Sequence, residues 1–138
     1  MPPLTNHEVA LRNALQRDVE KFAGEIGRRN YAYYNGLMAT ADFLKPSLAQ
    51  AGYQVQQQGY AISNQTYYNI EVEIHGSDRA DEIVVIGGHY DSVSTSLTAN
   101  DNGTGAAATL ELARLFAGKK PDRKNAQLPN LTPSYQER

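Results

Sequence analysis

His89, Asp91 and Asp101 are the residues of this 138-residue chain whose types and spacing suit chemistry. His89 and Asp91 stand two apart in Gly87-Gly88-His89-Tyr90-Asp91-Ser92, directly after the apolar run Ile83-Val84-Val85-Ile86. A neutral imidazole is a good ligand for zinc, and a nearby carboxylate can accept its other ring N–H and fix the tautomer. Asp101 follows twelve residues after His89, in Asn100-Asp101-Asn102-Gly103-Thr104-Gly105. The glycines allow a tight turn into a helix, so that the Asp101 carboxylate can point back towards the strand end. One His and one Asp make half of a divalent-metal site, since closed and catalytic sites take more ligands. Ordinary roles stay open for each. His89 can be a hydrogen-bonded structural residue, Asp91 an Asx-turn residue beside Ser92, and Asp101 a turn or helix-cap residue. His7, in a first helical turn, and His75, before Gly76, are assigned to no metal.

The elements that must position these residues are legible from periodicity. Thr5-Asn6-His7-Glu8 fits a capping box, and Leu11, Leu15, Val19 and Phe22 recur at helical spacing until Gly24 and Gly27. Arg28 to Asn35 reads as a polar, aromatic connector, with Tyr31, Tyr33 and Tyr34 expected to pack partly on a sheet. Leu37, Ala41, Leu44, Leu48 and Ala51 form one apolar stripe capped by Gly52. Pro46 inside it predicts a kinked helix or two shorter ones. Residues 53–61 and 67–74 alternate as strands around Ser63-Asn64-Gln65 and predict an antiparallel hairpin; Gly76 to Glu82 is a charged loop. The β-branched run at 83–86 predicts a strand covered on both faces, with His89 and Asp91 just past its carboxyl end, where α/β proteins place ligand sites. Residues 106–117 predict a buried helix, stopped by Gly118 with Lys119 and Lys120 at its negative end. Residues 121–138 hold three prolines, no Val, no Ile and no period, so they read as an aperiodic, disordered tail where another core strand is due. The order α-α-β-β-β-loop-α predicts an α/β fold, a mixed β-sheet flanked by helices.

Composition narrows the functional classes. Hydrophobic residues are 41% and charged residues 20%, which describes a soluble globular chain. Thirteen Lys plus Arg against fifteen Asp plus Glu give a net charge of −2, which argues against a nucleic-acid partner or a polybasic membrane surface. Zero cysteines exclude disulfides, thiolate catalysis and Cys-ligated zinc. No apolar run reaches the roughly 18–20 residues of a membrane span, and Met1 to Glu8 carries no export leader, so the default compartment is cytoplasmic. The Asn-Gly-Thr-Gly turn lacks the lysine of a phosphate-binding loop, and no Gly-x-Ser-x-Gly elbow exists for a serine hydrolase.

The run IVVIGGHYDSV followed by TANDNGTGAAATLELARLF resembles the N-terminal signature of the M28 family of zinc aminopeptidases, and ADFL…AGYQV upstream is also similar. The resemblance covers residues about 8 to 120, so that 1–120 would be the N-terminal part of an M28 peptidase domain and 121–138 a tail. It implies a zinc-peptidase-like three-layer sandwich, here truncated. By the same resemblance His89 would be a terminal zinc ligand, Asp101 the carboxylate bridging two zincs, and Asp91 the orienting partner of His89. The peptide bond after the bridging Asp is commonly cis in that family, which predicts a cis Asp101–Asn102 bond.

The implied activity is metal-assisted hydrolysis at a peptide N-terminus, with a peptide as substrate. The family's Glu-Glu pair (a general base and a zinc ligand), its further Asp and its distal His have no counterpart here. Glu137 stands alone and is given no role. The chain KNAQLPNLTPSYQER after Arg123 is an ending of the kind a frameshift or a truncation produces. With two ligands and no base, zero or one weakly held zinc and no peptidase activity are expected of the chain alone. A metal-free remnant or interaction module is the non-enzymatic alternative. Glutaminyl cyclases, which share the fold, and M20-type metallohydrolases, which also carry a His-x-Asp, are weaker ones.

Overall fold

The computed structural model describes residues 2–76 and 83–120 in full, and residues 126–132 by their backbone. The first helix, α1 (Asn6–Val19), begins where the capping box is formed: the Thr5 hydroxyl accepts from the Glu8 amide, and the Glu8 carboxylate accepts from the Thr5 amide. It runs past Gly24 as a wider π-helical segment, Glu20–Ile26, and stops at Gly27, whose φ of 77° only glycine adopts readily. After a short 3-10 turn, Tyr31–Tyr33, α2 (Tyr34–Gln50) is one continuous helix with Pro46 inside it, not two. Leu37, Ala41, Leu44 and Leu48 are its buried stripe, as the spacing requires.

The hairpin forms as expected. Strands β1 (Gln56–Ile62) and β2 (Gln65–Ile74) pair antiparallel from Ile62↔Gln65 to Gln56↔Glu71. The two residues between them, Ser63 and Asn64, both have positive φ, which matches the right-handed twist of the flanking strands. Ile70, Val72 and Ile74 point into the core from β2, with half-buried Asn69, Glu71 and Glu73 alternating. Tyr34 packs edge-on against Tyr67 and donates to the Thr66 carbonyl, whereas Tyr31 and Tyr33 are exposed.

Strand β3 (Val84–His89) leads through the 90–103 loop into α3 (Thr104–Phe116). A fourth strand, β4 (Ala126–Thr132), then lies in the middle of the sheet, whose order is β1-β2-β4-β3. It runs parallel to β3 and antiparallel to β2, so the sheet is mixed, as expected. This corrects the aperiodic reading of 121–138 across these seven residues. Proline removes a ladder donor and argues against a central strand, but here the register shifts beside it, between Ile70 and Val72 on one side and Val85 and Gly87 on the other. The charged loop at 77–82 and the remaining tail residues, Glu137 among them, lie outside the described residues.

The β-branched run needs a second correction. β3 ends the sheet, and Ile83, Val84 and Val85 are exposed rather than covered on both faces. Only its carboxyl half is packed, with Ile86 against the core and Gly88 against α3. Helices α2 and α3 pack on the sheet and on each other, and α1 packs on α3. One core cluster joins Phe22, Leu37, Leu44, Leu48, Ile70, Val72 and Leu110. Among the described residues no helix is long and apolar enough to cross a membrane.

Candidate metal centre

The site grows from the close meeting of β3 and α3. A Cβ on Gly88 would lie 3.3 Å from the Gly105 carbonyl group, so the two backbones touch where the strand ends and the helix begins. His89 is the next residue of the strand, which puts its imidazole beside the turn leading into α3. That turn holds a cis peptide bond between Asp101 and Asn102, the geometry the resemblance implied. The Asn102 side chain, not Asp101, accepts from the Gly105 amide at 3.0 Å and so caps the first turn of α3. The capping role open to Asp101 is thereby taken by its neighbour.

All three residues singled out from the sequence meet here. His89 Nδ1 lies 2.9 Å from Asp91 Oδ1, and His89 Nε2 lies 3.1 Å from Asp101 Oδ1. Asp91 faces His89 instead of closing only a local turn, and its side chain is 10% exposed against 72% for Asp101. With Nδ1 against a buried carboxylate the orientation of the ring is fixed, and its Nε2 faces an exposed carboxylate. One neutral nitrogen and one oxygen donor at this spacing fit a zinc ion as two of its ligands. Among the described residues no group of three His, Cys, Asp or Glu side chains surrounds a metal position, so the fit is partial. His75 is exposed beside Glu73, 3.4 Å away, and stays apart from this centre.

Sequence reasoning missed the residue beneath the site. Arg29 is fully buried and was read as part of a polar connector. Its guanidinium donates to the carbonyls of Tyr90 at 2.7 Å, Gly27 at 2.9 Å, Thr98 at 2.9 Å, Leu97 at 3.0 Å and Phe22 at 3.1 Å. Its own amide donates to Ser92 Oγ at 2.9 Å, and its carbonyl accepts from the Ser92 amide at 2.8 Å. Burial pushes the guanidinium pKa down and the Asp91 carboxylate opposes that shift. An arginine beside a glycine-stopped helix was the available signal, but nothing local says that its head turns inward. Tyr90, between His89 and Asp91, is buried with its hydroxyl donating to the Tyr68 carbonyl at 2.8 Å, and burial pushes its phenol pKa well up.

Residues 69–126 match the family model described as Peptidase family M28. Leupeptin-inactivating enzyme 1 of Streptomyces exfoliatus is 37% identical over 90 residues, a stretch covering 64% of this chain and 20% of that protein. Aminopeptidase YwaD of Bacillus subtilis is 38% identical over 65 residues, covering 46% of this chain and 14% of that one. Among solved structures, Fimbriiglobus ruber glutaminyl cyclase superimposes with a TM-score of 0.71 at 19% identity, covering 94% of this chain and 47% of its own. That likeness concerns the fold. The chain thus spans about a fifth or less of these curated relatives and about half of the solved structure.

Proposed function

Because the chain belongs to peptidase family M28, we propose that it carries the N-terminal portion of a zinc-dependent aminopeptidase centre, with His89 and Asp101 as zinc ligands and Asp91 as the orienting partner of His89. The observation that carries this reading is the His89 imidazole held between two carboxylates, one buried and one exposed. A bound zinc ion supplies Lewis acidity at the scissile peptide carbonyl. The chain's own residues supply the rest: Asp91 would keep the Nδ1 proton on His89, and Asp101 would offer a carboxylate oxygen beside Nε2. Asp101 would hold the ion together with His89, its carboxylate lying 3.1 Å from the ring's Nε2. With two such ligands and no third donor among the described residues, weak zinc binding and no peptidase activity are expected of this chain by itself.

The metal-free reading draws on one observation, the lack of a third donor among the described residues. Zinc content separates the two. The chain, dialysed to equilibrium against zinc, is expected to hold about one ion, and His89→Ala and Asp101→Asn to hold none. Near-zero zinc in a folded wild-type chain sinks the metal reading. Chelator-sensitive hydrolysis of an aminoacyl-nitroanilide by the chain alone would show that it is complete as an enzyme.

A further inference from the structure

Arg29 ties together three segments distant in sequence. The carbonyls of Phe22 and Gly27 belong to the end of the first helical rod. Tyr90 lies between His89 and Asp91. Leu97 and Thr98 lie on the approach to Asp101, and Thr98 has a left-handed backbone, φ 40°, that a non-glycine residue adopts only when its surroundings impose it. The packing leaves no slack around the guanidinium: a Cβ on Gly103 would lie 3.1 Å from Arg29 Nη2 and 3.2 Å from the Thr98 carbonyl oxygen. The two segments that carry His89 and Asp101 therefore share one buried planar cation, and each offers it a carbonyl.

We propose that Arg29 is a positioning residue for the candidate metal centre, clamping the Tyr90 carbonyl and the Leu97–Thr98 carbonyls so that His89 and Asp101 face one another. The fork geometry matters as much as the charge. Nε serves Tyr90 while Nη1 and Nη2 serve Leu97 and Thr98, a spread that the single ammonium of lysine does not reproduce. The assignment rests on reading His89 and Asp101 as metal ligands, yet the clamp itself exists without metal and is measurable in its absence.

The test uses the full chain, with Arg29→Lys and Arg29→Ala beside the wild type. Amide hydrogen exchange without metal is expected to quicken at Ser92 and across 97–105, while α2 and the β1–β2 hairpin keep their protection. Cobalt(II) then reports on the centre. The variants should bind it about 10–100-fold more weakly, the cost of losing a group that orients a ligand, and with an altered visible absorption spectrum. Added guanidinium should restore the affinity and spectrum of Arg29→Ala, and an alkylammonium ion should not. Unchanged exchange at 90–92 and 97–105, or protection lost equally everywhere in both variants, overturns the proposal. So does wild-type cobalt affinity in Arg29→Lys. If the wild type binds no cobalt, the metal reading fails, and the exchange data alone decide whether Arg29 holds the two segments together.

Discussion

Asp91 and Asp101 approach one imidazole from opposite sides, and their different exposure separates their tasks. A buried carboxylate locked on Nδ1 sets the tautomer; an exposed one is free to move onto a ligand. Asp91→Asn keeps the shape but no longer accepts the ring proton with a charge. It should weaken zinc binding about 10–100-fold, read by competition with a chromophoric chelator, while the circular dichroism of the apo chain stays the same. Asp101→Asn should abolish zinc binding yet shift the urea unfolding free energy by no more than about 0.5 kcal/mol, because its side chain packs against little. At this scale the sequence was informative about the polar groups that meet at the candidate centre and silent about the arginine buried beneath them. His-x-Asp and Asn-Asp-Asn-Gly are local patterns. Arg29 becomes meaningful only when five carbonyls from three segments converge on it.

Elements start and stop here for reasons held within a few residues. Hydrogen bonds from the Thr5 amide and hydroxyl hold the Glu8 carboxyl below its ordinary value of 4.5. A depressed folded-state pKa means that this contribution is present above that value and is lost as pH falls through the lowered one. NMR of the α1 amides should therefore show the first turn fraying on acidification, and Glu8→Gln should flatten that dependence. The start of α3 is tighter still. A Cβ on Gly105 would lie 2.2 Å from Asn102 Oδ1, so Gly105→Ala must evict the cap. The expected cost is on the order of 1 kcal/mol in urea denaturation, with faster exchange at the residue 105 amide. β4 shows where local reasoning ends: the absence of period and Pro129 spoke against a strand, and a slot between β2 and β3 with shifted register accommodates one.

Among the described residues the sheet ends in two edge strands, β1 and β3, of which β1 begins with three glutamines and β3 with exposed valines. β3 closes the strand order, and Ile83, Val84 and Val85 stand exposed along it. An apolar edge strand is a template for pairing with other chains. Concentration-dependent light scattering should fall in Val85→Lys, with the urea midpoint nearly unchanged because Val85 is 58% exposed. An unfolding free energy lowered by several kcal/mol would mean that the valine is packed after all. The same β-branched run that predicts burial on both faces is, in this chain, covered only towards its carboxyl end, where α3 meets Gly88.

What the sequence determined by itself was the local geometry: the capping box, the α2 stripe, the hairpin and the three residues that meet at the candidate centre. Each depends on neighbours close along the chain, so spacing and residue type suffice to read it. Tertiary structure alone decided three further matters. It turned Arg29 inward beneath the site, gave residues 126–132 a place in the sheet, and left the β3 valines exposed. Each of these is a competition between distant segments for one buried position or one sheet edge. The free energies that settle such a competition come from packing and hydrogen bonds made across the fold.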